Sequence, residues 1–429
     1  MRNHLYLSIT LLAVLGWHAG AQAQVGTRQA PKLVVSITID QLRSDYLETF
    51  ATNYSAEGFK RILEEGAVFE NASYPFIDPD RASAIATVVT GTTPFYHSIT
   101  GQQWLDRSSL RPVNCTDDQL AVTTIGDELK MATDGAAKVF AFAPTQDLAF
   151  LSASHASDGT EWITPSKKNK TPINQDITAK ALACVSEQKL GADDTPDLLC
   201  LSYDAGTSVD TYSQLDQAIG TLISTLEERI GKERLLVVLT STGSYTSEKI
   251  DYARYHIPSG QFDIKRTANL LNMYLGALWG QGQYIEASYK NQLFYNHQLL
   301  ESKRISMTDI IQRSQEFLCQ LAGVKRVFSG LQLINSINSD QQKVRNSYHP
   351  QRCGDLLIEV TPGWHIQHED TGYDKLSQLS TQSFPIIFYG ADIKATRVQT
   401  PVTTDRIAPT ISKAIRIRAP NACTSESLF

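Results

Sequence analysis

Beyond its first residues the chain has no stretch that approaches ~20 consecutive apolar residues, which excludes an ordinary spanning helix from the bulk of the sequence. It has no basic cluster and no block of like charge. A net charge of −6 over 429 residues therefore argues against a nucleic-acid surface and against a charged disordered tail. No two cysteines have the CxxC spacing of a zinc knuckle. There is no internal repeat and no low-complexity segment. The first cysteine is Cys115, so none follows the N-terminal segment closely enough to carry a lipid anchor.

The N-terminal segment reads as an export signal over residues 1–23. Arg2 supplies a positive start, Leu5 to Trp17 a short apolar core, and Ala21-Gln22-Ala23 a small-residue cleavage site. The expected destination is the periplasm or the exterior, after cleavage near Ala23. The six cysteines (Cys115, Cys184, Cys200, Cys319, Cys353 and Cys423) would then meet an oxidising compartment, and their spacing does not choose a pairing. Cys200 sits in a strand-like run and Cys319 in a helix-like one, so both read as buried thiols.

The remaining length exceeds one ordinary domain and predicts a large α/β core with an insertion. The central feature is Lys32 to Asp40, a β-branched, mostly apolar run ending on an acid. Such a run predicts a buried strand of a parallel sheet, and ligands of open α/β sheets sit at the carboxyl ends of strands. Asp40 stands at that edge, as either a metal ligand or a cap of the following helix. Strand-like and helix-like segments then alternate. Helices are predicted at Gln41–Ala51, Glu57–Gly66 with Gly66 as a C-terminal stop, Ala82–Gly91, Ile125–Ala132, Ile177–Glu187 and Val209–Ile230. Strands are predicted at Ala67–Ala72, Lys138–Ala143, Asp197–Tyr203 and Arg234–Thr240. The alternation argues for a parallel sheet with helices on both faces. Thr92–Gly101 reads as a loop. The boundaries expected are 24–251 for the first part of the core, 252–373 for an inserted cap and 374–429 for the last part of the core. The cap would carry helices at Thr267–Leu278 and Ser306–Ala322 and a strand at Asp355–Val360. The core resumes with a strand at Pro385–Tyr389 and a helix at Thr404–Ile415.

Several segments, in order, resemble the alkaline phosphatase superfamily. The nearest resemblance is to the bacterial threonine-nucleophile alkaline phosphatases and to the type I phosphodiesterase/nucleotide pyrophosphatase branch. They are Val35-Ser-Ile-Thr-Ile-Asp-Gln-Leu-Arg-Ser-Asp-Tyr46, Gly58-Phe-Lys-Arg-Ile-Leu-Glu-Glu-Gly-Ala67, Val89-Thr-Gly-Thr-Thr-Pro94 and Thr124-Ile-Gly-Asp-Glu-Leu129, followed by Asp210 to Asp216, Leu270 to Leu275, Phe388-Tyr-Gly390 and Pro401 to Thr410. The resemblance implies an α/β core with a cap and, in working members, a two-zinc phosphoesterase whose threonine or serine alkoxide is activated by metal.

Carried over residue by residue, that chemistry is mostly missing. Asp40 matches the first metal aspartate. The nucleophile position falls on Arg81, and arginine cannot act as a nucleophile at workable pH. The next ligand pair falls on the shortened Asp204-Ala-Gly-Thr-Ser-Val segment, the following Asp-His on Thr242-Gly243, and the last histidine near Ser383. There is no histidine between His155 and His256 and none beyond His368. The phosphate-holding positions fall on Thr145, Asp147 and Gln102.

Three readings follow. The first is a pseudo-phosphatase with no cofactor, acting as a binding or scaffold protein for an unidentified cell-envelope protein or small ligand, without nucleic acid or a membrane span. In it, Arg81 would pair with the otherwise uncompensated Asp40 or else point to solvent. The alternative is a metal-dependent phosphoesterase using zinc, or a remodelled site in which Asp40, Asp78 and Asp80 hold a hard cation and Ser83 or Thr87 is the nucleophile. The third is a sugar or small-molecule cleft lined by Trp104, His97, Gln102, Gln103 and His155. His365 and His368, three apart, would ligate a metal only if helical, and Pro362-Gly363 before them favours a loop.

Overall fold

The structure, a computed structural model, describes residues 30–153, 155–163, 172–246, 252–336, 338–368, 372–377 and 382–429. The expected signal at 1–23 lies outside them. In chain order the strands begin with β1 (Leu33–Asp40) and β2 (Ala67–Ser73), then the hairpin β3 (Gln103–Asp106) and β4 (Arg111–Asn114). β5 (Val139–Ala143), β6 (Gly159–Trp162), β7 (Asp197–Asp204) and β8 (Leu235–Ser241) follow. Next are β9 (Gly260–Asp263), β10 (Ile285–Tyr289), β11 (Gln292–Tyr295), β12 (Val324–Ser329), β13 (Leu356–Val360), β14 (Trp364–His368) and β15 (Tyr373–Leu376). The last are β16 (Phe384–Gly390), β17 (Thr396–Val398) and β18 (Val402–Thr403).

The main sheet has the order β17-β2-β16-β8-β1-β7-β5-β6, with β18 also on β2. Its centre is parallel, as the βα alternation predicts: β1 pairs with β7 and β8, and β5 with β6 and β7. Strand β16 departs from that expectation and runs antiparallel to both β2 and β8. The reason is topological. The chain leaves the sheet at the carboxyl end of β8 and returns to the same edge, so Ile387 lies opposite Leu239 and Gly390 opposite Leu236. A strand entering from that edge runs downward without a crossover. Residues between β8 and β16 build a four-stranded sheet (β10-β11-β13-β12) and a three-stranded sheet (β15-β14-β9) around their own apolar cluster.

Every residue of β1 is buried. Its alternating side chains divide between two cores, because successive residues of a strand point to opposite faces. Val35, Ile37 and Ile39 pack with Leu199, Leu201, Val237 and Leu239 under the helices Ile173–Gln188 and Val209–Ile230. Val34, Leu198, Cys200, Leu236 and Val238 pack on the other face under Arg81–Thr90, Ile125–Ala132 and Ile407–Ala414. Each fully buried Val, Leu or Ile contributes about 1.5–3 kcal/mol relative to exposure. The same alternation sends Ser36, Thr38 and Asp40 to the face of the Arg81–Thr90 helix.

The helices Ile125–Ala132 and Val209–Ile230 match their predicted bounds. Others differ. The helix expected over Gln41–Ala51 is confined to Ser44–Thr49, so Asp40 does not cap it; Arg43 is the N-cap residue. The presumed loop Thr92–Gly101 contains a short helix, Pro94–His97, begun by proline at its first position. In the cap, the helix read as Ser306–Ala322 stops at Leu318, which leaves Cys319 exposed at its end rather than buried. None of the six cysteines is bridged. His365 and His368 lie on β14, not on a helix or loop, and three residues apart on a strand they face opposite ways. His365 pairs with Asp374 at 2.8 Å, and the buried His368 lies 3.0 Å from the Ser288 carbonyl.

Gly66 ends the helix Phe59–Glu65, but not in the left-handed conformation expected of a stop: its φ is −92° and ψ 169°. Glycine is required there by space. A Cβ would stand 2.4 Å from the Ile62 carbonyl oxygen and 2.8 Å from that of Phe388. The Gly66→Ala variant should lose about 1–3 kcal/mol of unfolding free energy in urea titration. A loss within ~0.5 kcal/mol, the range of ordinary surface changes, would contradict this close-approach account.

Candidate functional site

The parallel register brings Asp40 opposite Asp204, and places Thr242 just beyond the carboxyl end of β8. The same face of the sheet meets the first turn of the helix Arg81–Thr90. Asp80 caps that helix: its Oδ1 accepts from the Ser83 amide at 3.0 Å, and the Ser83 hydroxyl reaches back to Asp80. Arg81 is therefore the first helical residue, and it points at the strand edge. Its Nε donates to Asp40 Oδ2 at 2.7 Å, and one terminal nitrogen lies 3.8 Å from Asp204 Oδ2. The other oxygen of Asp40, Oδ1, accepts from the Thr242 hydroxyl at 2.6 Å. Both carboxylate oxygens are thus occupied within the fold.

Asp40 is almost completely buried, whereas one third of the Arg81 side chain is exposed. Burial pushes the Asp40 carboxyl up from its ordinary value, against the pull of Arg81 and the Thr242 hydroxyl. Burial also works against the Arg81 charge, but Asp40, Asp204 and Asp147 outweigh it. A guanidinium cannot be deprotonated at workable pH, so Arg81 keeps its charge beside Asp40.

The other positions that the resemblance singles out are dispersed around this centre. Gly243 takes a left-handed conformation (φ 68°) against the Tyr74 ring, where a Cβ would come within 2.9 Å. Ser383 is exposed, and its carbonyl accepts from the Ser44 amide. Gln102 donates to Asp147 at 3.3 Å, so two of the positions that the resemblance assigns to holding phosphate bind each other. The Thr145 hydroxyl is buried without a partner.

Zinc would need nitrogen or oxygen donors converging on one point. Here the carboxylate that could start such a set is spent on a guanidinium and a hydroxyl, and the neighbouring positions offer a threonine and a glycine in place of an imidazole. A dication beside Arg81 would meet like charge, worth several kcal/mol per pair of unit charges near 4 Å at a surface-like dielectric. The residues present do not fit a zinc pair. Among the described residues there is no group of three or more His, Cys, Asp or Glu able to hold a metal.

The remodelled cation site is not assembled either. Asp80 gives one oxygen to the helix cap and the other to the Gln102 amide at 2.7 Å, and Asp78 pairs with Lys375 at 2.9 Å. Ser83 belongs to the cap, and the Thr87 hydroxyl donates to the Ser83 carbonyl, so neither is poised as a nucleophile. The five residues suggested for a sugar cleft also separate. His97 is fully buried, its Nδ1 accepting from the Ile99 amide and its Nε2 meeting Thr87. Trp104 is buried under the Arg352 guanidinium, 4.3 Å from its ring centre. His155 pairs with Asp127 at 2.9 Å beside a different, shallow hollow. Only Gln102 and Gln103 face the large cleft, whose volume is about 960 Å³. Its other walls include Phe150, Lys290 and Tyr373, which no sequence motif marked. Lys290 stands at the β10–β11 turn, a position whose inward aim depends on how the cap sits on the core.

The type I phosphodiesterase/nucleotide pyrophosphatase family matches residues 34–382, and the chain belongs to that family, within the alkaline phosphatase superfamily. In particular, it is similar to the alkaline phosphatase PafA of Elizabethkingia meningoseptica, at 23% identity over 93% of this chain and 94% of the relative. It is likewise similar to the alkaline phosphatase PhoV of Synechococcus elongatus, at 23% identity over 91% of each. The crystal structure of PafA superposes with a TM-score of 0.80 at 21% identity, covering 93% of this chain and 98% of that one. Murine ectonucleotide pyrophosphatase/phosphodiesterase 5 follows at 0.59 and 13% identity, over 90% and 95% of the two chains. These likenesses establish the fold expected from the sequence. Among the described residues no helix is long and apolar enough to cross a membrane.

Two outcomes follow from the geometry. Arg81→Ala leaves Asp40 buried and unpaired, and should cost about 3 kcal/mol in denaturant unfolding, while the double variant Asp40→Leu, Arg81→Met should recover most of that loss. A single-variant cost under ~1 kcal/mol would mean the pair is immaterial to stability. Burial also drives the His97 imidazole down to about 3. Because that value lies below the ordinary ~6.5, the unfolded chain gains a proton first, so stability falls as pH drops from about 6.5 towards 3. The melting temperature of His97→Gln should decline less between neutral and acid pH than that of the parent.

Proposed function

We propose that this family member is a binding protein that does not run the two-zinc phosphoesterase reaction, and that it is exported through the leader read at residues 1–23. The observation that carries the reading is the Arg81 guanidinium seated on Asp40, where the family's nucleophile and first metal ligand would meet. Charge supports it: Asp40, Asp204 and Asp147 surround a single arginine, a net negative setting that opposes a phosphate dianion. The partner class is a cell-envelope protein or a small ligand, and no cofactor is needed for binding.

A second reading keeps a metal-dependent phosphoesterase, with zinc or another divalent cation. It is favoured by the similarity over most of the chain to proteins named alkaline phosphatases. It requires the Asp40–Arg81 pair to open, or Asp78 and Asp80 to leave their present partners.

Metal analysis of the purified protein by mass spectrometry, combined with phosphomonoester and phosphodiester assays in added Zn²⁺ and Mg²⁺, separates the two. The first reading expects near-zero bound zinc and no turnover above the blank. About two zinc per chain, with turnover abolished by Asp40→Ala, would establish the second.

A further inference from the structure

The large cleft carries a binding chemistry of its own. It lies between the β3–β4 hairpin, the helix Gln146–Ala153 and the β10–β11 turn, and its volume of about 960 Å³ is at the upper end of the range for small-molecule sites. We propose that it binds neutral oligosaccharides of about two or three rings. The proposal rests on the reading of this chain as a binding protein, since the cleft includes Gln102 and Asp147, two positions that the resemblance assigns to holding phosphate.

Three features of the walls point to a polyhydroxylated ligand. The first is a row of fixed amides. Gln103 Nε2 donates to Asn114 Oδ1 at 2.7 Å, which links two lining side chains and leaves the Gln103 side-chain oxygen and the Asn114 amine uncommitted to each other. The Gln102 amide is set in the same way on Asp147. An amide carries both a donor and an acceptor, the combination that hydroxyl pairs on a sugar ring can satisfy together. The second feature is aromatic surface. Phe150 and Tyr373 line the cleft, and ring faces suit the apolar C–H side of a pyranose. The third is the sign of the charge. Among the described residues, Asp80, Asp118 and Asp147 face the cleft against one cation, Lys290. That balance disfavours phosphorylated or carboxylated ligands and leaves neutral sugars as the matching class.

Lys290 adds rigidity. It is a non-glycine residue in the left-handed region (φ 53°), and its Nζ donates to the Gln103 carbonyl at 3.1 Å, tying the cap to the hairpin. Such a conformation persists where the surroundings over-determine it, and here it closes one end of the cleft.

The test is calorimetric titration of the full mature protein with maltotriose, cellotriose and triacetylchitotriose as probes. At least one should bind with a Kd at or below about 1 mM. Gln103→Ala and Phe150→Ala, at exposed or half-exposed positions, should each weaken that binding about tenfold, with circular dichroism unchanged. Leu331→Ala, exposed in the cap and absent from the cleft walls, should leave it intact. No binding of any of the three, or binding indifferent to both cleft variants, overturns the proposal. Tighter binding of glucose 6-phosphate than of glucose would overturn the charge argument on which the choice of neutral sugars rests.

Discussion

β1 is hydrogen-bonded to β7 along one side and to β8 along the other, and apolar helices cover both its faces. A one-residue slip of that run would exchange its two faces. The register therefore determines which residues meet at the carboxyl edge. Asp40 and Asp204 arrive side by side, Thr242 follows β8 next to them, and the Asp80-capped helix delivers Arg81 from above. The site is a consequence of packing energetics that act several residues away from it.

At that edge a guanidinium and a hydroxyl satisfy the buried Asp40 carboxylate. The pairing solves an electrostatic problem. A carboxylate held in place by a buried strand is costly when unpaired, because its desolvation is not returned. Arg81 and Thr242 return it with three charge-assisted contacts. The same arrangement removes the lone pairs that a metal would need. The framework at this edge rests on apolar burial, and its chemistry on a few polar side chains.

The residues between β8 and β16 are joined to the rest by polar contacts from long cationic side chains. Arg352 donates to the Ser98 and Gln119 carbonyls while stacking on Trp104, and Arg107 bonds to the Cys353 carbonyl and to Asp355. Arginine suits this role, since its planar head can stack and donate at once.

Periodicity and turn chemistry made much of the architecture legible in the sequence. The β-branched run ending at Asp40 and the apolar stripe of Val209–Ile230 are local patterns, and the sheet and its covering helices follow from them. The absence of histidine between His155 and His256 and beyond His368 is likewise legible in the sequence itself. Tertiary structure alone decided the rest. Whether Arg81 turned towards Asp40 or to solvent, whether His97 and Trp104 faced a cleft or a core, and whether β16 ran with or against its neighbours all depend on contacts between distant residues. Asp40 and Thr242 are 202 positions apart, and Gln103 and Lys290 187. Such pairs leave no local periodic trace, because what brings them together is the burial of strands and helices between them, not any preference of their own.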